Sequence, residues 1–300
     1  MRILLFGCEG QLGWELQRSL APLGELVAVG RAGAPDVAGD FTDPAAIAAT
    51  VAATRPRVVV NAAAYTDVDR AESEPGPAHL VNAATPGALA RAAAQAGAIV
   101  LHFSTDYVFD GSGSRPWRED DAPAPLNTYG RTKLAGEREV AAATPRHLVL
   151  RAGWLYGRGR NFARSILAQA RTQARLQVVD DQFGAPTGAD LLADVSAHVL
   201  RAVLRDEGAW GTYHVAPAGF ASRHGYAQWL LREARQLGLA LATAPEAVEA
   251  VGSDAVGVAT AAARPRNTRL ATDRLAATFG LAMPAWEQGA LRYLREALAP

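Results

Sequence analysis

The feature that most constrains this chain is its opening stretch. Ile3-Leu4-Leu5-Phe6 is a continuous apolar run that stops at Gly7, as a strand buried on both faces does. Gly7-Cys8-Glu9-Gly10-Gln11-Leu12-Gly13 follows, and Leu12, Leu16, Leu20 and Leu23 recur at helical spacing. Strand, glycine turn and helix in that order are the setting in which a glycine-rich turn binds a dinucleotide. Gly7 permits the tight turn, Gly10 lets backbone N–H groups approach a pyrophosphate, and Gly13 lets the helix pack close to the strand. The helix N-terminus adds unpaired donors and a partial positive charge. The spacing is G-x-x-G-x-x-G, whereas the commonest fingerprint is G-x-G-x-x-G, so the cradle has a somewhat different shape.

Apolar strands then recur at Glu25–Val29, Val58–Val60, Ile99–Phe103 and His147–Arg151, separated by helical patterns. That alternation predicts an α/β fold, a doubly wound parallel sheet of the Rossmann type. A helix is expected to begin near Ala78, and Asp43 before Pro44 reads as a helix cap. A sixth strand is expected at Gln177–Val179, a short strand at Tyr213–Val215, and helices over 190–204, 226–237 and 284–298. Beyond Arg151 the pattern loosens, which suggests a smaller C-terminal substrate-binding lobe. The expected division is 1–152 plus 175–216 for the dinucleotide-binding domain and 153–174 plus 217–300 for the lobe.

Thirty basic and thirty acidic side chains cancel, so no bulk field argues for nucleic acid or an anionic membrane. An anionic small molecule would have to be met by local arginines. The hydrophobic share of 49% suits a sizeable core. Cys8 is the only cysteine, which excludes an internal disulfide and suits a reducing cytoplasm. The first apolar run is too short for a signal-peptide core or a membrane span, so a cytoplasmic protein is expected.

The second strand ends in Gly30-Arg31 without the acid that would bond the ribose of NAD. Arg31, about 20 residues past the fingerprint, is placed to meet a 2′-phosphate instead, which favours NADPH with NADH as the alternative. Asp40-Phe41 is read as a hydrogen-bonding and stacking pair for the adenine ring. Ala62, Ala63, Ala64 and Tyr65 leave the carboxyl end of the third strand, where open α/β sheets bind ligands. Further on, Tyr129 and Lys133 stand one helical turn apart on one face. A lysine charge there would favour tyrosinate and lower the phenol pKa. Ser104-Thr105-Asp106 closes the fourth strand, and His102 within it reads as a packing residue or a donor to backbone.

Taken together, these segments resemble the extended short-chain dehydrogenase/reductase family along nearly the whole chain. The resemblance rests on Gly7–Gly13, Gly39-Asp40-Phe41, Asn61–Tyr65, Thr66–Glu74, Ser104–Phe109 and Pro125–Asn127. It continues through Tyr129–Glu137, Asn161-Phe162, Asp181–Thr187 and Arg264-Pro265. It implies a catalytic set of Thr105, Tyr129 and Lys133, with Tyr129 as general acid toward a ketone, Thr105 polarising the carbonyl and Lys133 tuning the tyrosine. It places Gly7, Gly10, Gln11, Leu12, Gly13, Tyr129 and Lys133 against the cofactor. Members that eliminate water carry Thr-Asp-Glu after the fourth strand, and Tyr107 here replaces that Glu, so the resemblance points to ketone reduction. The implied partner is a dTDP-linked keto sugar, with another nucleotide sugar, an epimerase, or a non-catalytic regulatory subunit as alternatives. Val68, Asp106 and Trp154 would contact the sugar, Asn161 and Gln182 the nucleotide, and Arg264 the diphosphate. Some members dimerise around magnesium, and Glu15, Asp190 and Glu296 fall at similar positions, so a monomer or a homodimer is expected.

Overall fold

The computed structural model describes residues 1–34, 37–206, 208–254 and 261–297. Six strands form its main sheet: β1 Arg2–Phe6, β2 Glu25–Val29, β3 Val58–Asn61, β4 Ile99–Thr105, β5 His147–Ala152 and β6 Gly211–His214. Their order is β6-β5-β4-β3-β1-β2, and every neighbouring pair is parallel. After β2 at one edge the chain crosses back to the far side of β1, so the topological switch lies between β1 and β3. The register pairs Phe6 with both Val29 and Asn61, which brings the glycine turn beside Ala62–Ala64. A ligand crevice is expected at this junction.

The helices that matter here are α1 Gln11–Leu20, α2 Pro44–Thr54, α3 Thr85–Gln95, α4 Thr128–Ala143, α5 Phe162–Ala170, α6 Ala189–Arg205, α7 Arg223–Gln236, α8 Asp273–Phe279 and α9 Trp286–Ala297. Alternation along β1 sorts its side chains between two faces. Ile3 and Leu5 pack with Leu12, Leu16 and Leu20 of α1 and with Leu192, Val199 and Val203 of α6. Leu4 and Phe6 pack on the other face with Ile47 and Val51 of α2 and Leu89 of α3. The cap expected at Asp43 is formed, its Oδ1 accepting from the N–H of Ala46 at 3.0 Å, and Asn127 caps α4, its Oδ1 accepting from the N–H of Gly130 at 2.8 Å. No helix among the described residues is long and apolar enough to cross a membrane.

The fold departs from the sequence expectations in several places. Helical structure after β3 begins at Arg70–Ser73 and continues through Pro75–His79 and a π-helical segment Leu80–Ala84, well before Ala78. The strand expected at Gln177–Val179 spans Leu176–Val179, but it pairs with Val248–Val251 and not with the main sheet. Gly211–His214 takes the sixth place instead. Sheet pairing therefore groups the strand of residues 176–179 with the lobe, while α6 belongs to the large core. Conversely, Leu275, Phe279, Leu281 and Met283 pack on the large core, although residues 217–300 were expected to be lobe. Periodicity shows that a strand exists but not which sheet takes it. The last helix is described over Trp286–Ala297, and Leu298, to which it was expected to run, lies outside the described residues.

Candidate active site

A cleft of about 520 Å³ opens along the carboxyl ends of the strands. Its walls run from Gly7, Gly10, Gln11 and Leu12 through Ala62–Ala64 to Thr105, Tyr129 and Lys133, and on to Val68, Asp106, Trp154 and Arg223. One cleft thus joins the glycine turn to the acid–base pair.

At the glycine end the chain is packed to backbone contact. Gly7 has φ +78°, and a Cβ there would lie 2.6 Å from the N of Ala63. A Cβ on Gly13 would lie 2.0 Å from the carbonyl oxygen of Gly7. Gly10 caps α1 without any side-chain hydrogen bond, so the first-turn N–H groups are not capped by its own side chain. Such an end suits a pyrophosphate. Arg31, Gly39 and Phe41 extend this wall. Phe41 is buried edge-on against Phe6, with ring centroids 5.4 Å apart. Asp40 is exposed, its Oδ1 accepts from the N–H of Thr42 in its own loop, and it does not line the cleft. Tyr65 is also absent from the walls: its hydroxyl donates to Glu74 Oε2 at 2.7 Å and its N–H to Asn82 Oδ1 at 2.8 Å.

At the centre, Lys133 is buried and donates from Nζ to the carbonyl oxygen of Phe103 at 2.6 Å. Burial pulls its ammonium down to about 8, against the attraction of Glu137. The Tyr129 hydroxyl is pushed up, first by burial and then by the charge of Asp106, with Thr105 opposing. The structure corrects the expectation that Lys133 lowers the tyrosine pKa: burial raises it, and the ammonium is turned to Phe103. Tyr129 therefore holds its proton throughout the neutral range. His102 bonds Asn61 Nδ2 through Nδ1 at 3.0 Å, a side chain and not the backbone, and burial holds it neutral.

Thr105 Oγ1 donates to Asp106 Oδ1 at 2.9 Å and accepts from the N–H of Tyr107 at 3.2 Å. Burial raises Asp106 to about 6, against its bond from Thr105 and the charge of Arg223. Asp106 Oδ2, Ser104 Oγ and Gln11 Oε1 are buried without a hydrogen-bond partner among the described residues, and all three residues line the cleft. Unpaired buried polar atoms are rare and costly, so their concentration here marks a surface made for a polar ligand.

At the far end Trp154 holds a left-handed backbone, φ 49°. Gly184 lets it sit there, since a Cβ at 184 would lie 2.6 Å from the indole. The Arg223 guanidinium lies 3.6 Å from the centre of the Trp154 ring and 4.9 Å from that of Phe162. Among the described residues it has no ion pair and no side-chain hydrogen bond, and burial lowers its pKa. A half-buried cation with no ion pair of its own is placed to meet an anion.

Val68, Asp106 and Trp154 line the cleft, whereas Asn161, Gln182 and Arg264 are not among its walls. Arg264 is held by both oxygens of Asp69, at 3.0 and 2.7 Å. Asn161 caps α5 through the N–H of Arg164 and bonds the Tyr293 hydroxyl. Gln182 donates to Ser253 Oγ at 3.0 Å. The sequence reading missed Arg223 because it began that helix at Tyr226. Ser222 is the true cap, accepting from the N–H of Gly225 at 2.9 Å. An arginine at the first helical position opposes the helix dipole, and that was the available signal.

The acids Glu15, Asp190 and Glu296 share a second cavity, but they do not fit a magnesium ion. Arg292 pairs with both Asp190 and Glu296, and Arg18 pairs with Glu15. No group of three or more His, Cys, Asp or Glu side chains able to hold a metal occurs among the described residues. The guanidinium supplies the positive charge that a cation would bring.

Comparison with known proteins agrees with this architecture. The family model described as RmlD substrate binding domain matches residues 1–299. The dTDP-4-dehydrorhamnose reductases of Salmonella typhimurium and Escherichia coli are each 48% identical over 297 residues, covering 99% of this chain and 98% of theirs. The crystal structure of a dTDP-4-dehydrorhamnose reductase from Clostridium acetobutylicum superposes with TM-score 0.86 at 33% identity, covering 99% of both chains. That from Bacillus anthracis, in complex with NADP, gives 0.85 at 31%, covering 98% of this chain and 99% of that one. With its parallel six-stranded sheet and its cleft from glycine turn to Tyr129, this chain belongs to the dTDP-4-dehydrorhamnose reductase family of oxidoreductases.

Proposed function

We propose that this chain reduces the 4-keto group of dTDP-4-dehydro-L-rhamnose to give dTDP-L-rhamnose, using NADPH. The observation that carries this reading is the single cleft in which Tyr129 and Thr105 share their walls with a dinucleotide cradle. The Bacillus anthracis relative with NADP supports the cofactor, and the Salmonella and Escherichia coli names support the substrate.

The reduced nicotinamide supplies a hydride to the ketone carbon. Tyr129 donates its proton to the oxygen on which negative charge develops. Its raised pKa does not prevent this, because the same burial that raises the tyrosine also raises the basicity of the alkoxide forming beside it. Thr105 has one proton, now given to Asp106, and it can donate to the carbonyl only when that bond is released. Protonation of Asp106 achieves this by reversing the bond: the carboxyl donates to Thr105 Oγ1, which donates onward. Lys133 keeps one N–H on Phe103 and has others for the nicotinamide ribose. Asp106 Oδ2 and Ser104 Oγ accept or donate to sugar hydroxyls, Trp154 and Val68 flank the ring, and Arg223 takes the diphosphate in place of Arg264.

Purified protein given NADPH and dTDP-4-dehydro-L-rhamnose should consume the reduced-nicotinamide absorbance and release dTDP-L-rhamnose. Tyr129→Phe should lower kcat by about 10²- to 10⁴-fold with cofactor affinity unchanged. Cofactor binding without turnover on this substrate, or full activity in Tyr129→Phe, would overturn the assignment.

A further inference from the structure

Folds that bind nicotinamide dinucleotides place an acid at the end of the second strand to hold the adenosine ribose. Here β2 ends at Val29 and continues into Gly30-Arg31, with no acid of its own. The carboxylate found at that place comes from the glycine turn. Glu9 Oε2 accepts from the backbone N–H of Arg31 at 3.3 Å, and Glu9 lines the glycine end of the cleft beside Gly10, Arg31 and Gly39.

Gly30 and Glu9 form one unit. A Cβ on Gly30 would lie 2.5 Å from Glu9 Cδ and 2.7 and 2.8 Å from its two oxygens. Any side chain at the strand end would therefore displace this carboxylate, and the missing side chain is what lets Glu9 reach across. Arg31, whose backbone holds Glu9, lines the same wall, and its charge reaches Asp40 on the next loop. A carboxylate and a guanidinium thus flank one spot.

We infer that Glu9 takes over the ribose-binding role, accepting hydrogen bonds from the hydroxyls of the adenosine ribose of NADH, while Arg31 beside it receives the 2′-phosphate of NADPH. This rests on the dinucleotide reading given above. The two side chains act in opposite senses. A carboxylate accepts from a 2′-hydroxyl and repels a 2′-phosphate, whereas a guanidinium pairs with the phosphate and gains little from the hydroxyl. The balance between them sets the cofactor ratio.

The test is direct titration of NADH and NADPH into the purified full chain by calorimetry or nicotinamide fluorescence, at one fixed ionic strength because surface charges are screened. Glu9→Ala should weaken NADH about tenfold and leave NADPH equal or tighter, the loss expected for one charged hydrogen bond. Arg31→Ala should weaken NADPH by a similar factor of about ten and spare NADH. Adding Gly30→Asp to Glu9→Ala, where the shortened side chain now leaves room, should restore NADH binding by returning an acid to the strand end. A Kd ratio unchanged in Glu9→Ala, or equal weakening of both cofactors without recovery in the double variant, would overturn the role of Glu9 while leaving the dinucleotide reading intact. Wild-type protein that binds neither cofactor would remove both.

Discussion

The two ends of the cleft are built from different material. The cofactor end is backbone: Gly7–Gly13 after β1 and Ala62–Ala64 after β3 meet because two neighbouring strands end in register. Its tolerances are steric, with hypothetical Cβ positions 2.0 to 2.6 Å from main-chain atoms at Gly13 and Gly7. The other end, where we place the substrate, is side chains brought from distant parts of the chain, Val68, Asp106, Trp154 and Arg223, and its tolerances are electrostatic. Asp106 is buried there and Arg223 half-buried, and among the described residues one has an unpaired oxygen and the other no ion pair. A site of the first kind is specific for a shape that any dinucleotide shares. A site of the second kind is specific for the charges and hydroxyls of one substrate.

The comparison is broken most severely at the backbone end. Gly13→Ala places a methyl group on the carbonyl of Gly7 and should abolish measurable cofactor binding. The melting temperature should also fall, because overpacking in contact with fixed backbone costs about 1–3 kcal/mol. Thermal melts with and without cofactor would show both effects, and an unchanged protein would mean the turn is looser than its geometry.

At the other end, Arg223→Met should raise KM for the dTDP sugar by about 30- to 100-fold with a smaller change in kcat, as expected for loss of a buried partner to an anion. Arg264→Met should instead lower stability, since it breaks the paired contact with Asp69, and should move KM by less than about threefold. The reverse ranking in steady-state kinetics would return the diphosphate to Arg264.

Asp106 gives a pH signature. Its carboxyl is raised to about 6 in the folded protein against an ordinary value of 3.8, so the folded state holds the proton more tightly. Stability is unaffected below the unfolded value, falls as pH rises from there to about 6, and stays lowered above it. Asp106→Asn removes this ionisation. It should be more stable than wild type at pH 8, by at most about 3 kcal/mol, with no gain at pH 4. Denaturant unfolding at the two pH values would measure the difference.

The smallest expected effect is none. Because Arg292 stands between Asp190 and Glu296, chelation of divalent cations should change neither the melting temperature nor the oligomeric state. A shift in either on adding EDTA would show that the acids can release Arg292 and take a metal.

The same contrast explains how far the sequence could be read. Local geometry is written in consecutive residues. The apolar run before Gly7, the small residues after β3 and the cap at Asn127 each declare their conformation, because strand burial, turn shape and capping depend on near neighbours. The parallel doubly wound sheet and the helical spacing of Tyr129 and Lys133 follow from the same patterns. The sequence did not say that Leu176–Val179 leaves the main sheet, since a strand pairs by long-range packing that its own pattern does not encode. Nor did it say which arginine is free. Arg264 and Arg223 are alike as letters, and only the placement of Asp69 against one and Trp154 against the other separates an ion pair from a waiting cation. Glu9 is the sharpest case: the missing acid at the end of β2 was visible, but the carboxylate that fills its place crosses from another loop. Charges act through space with their magnitude set by burial, so the chemistry of each side chain was decided only when the chain closed around it.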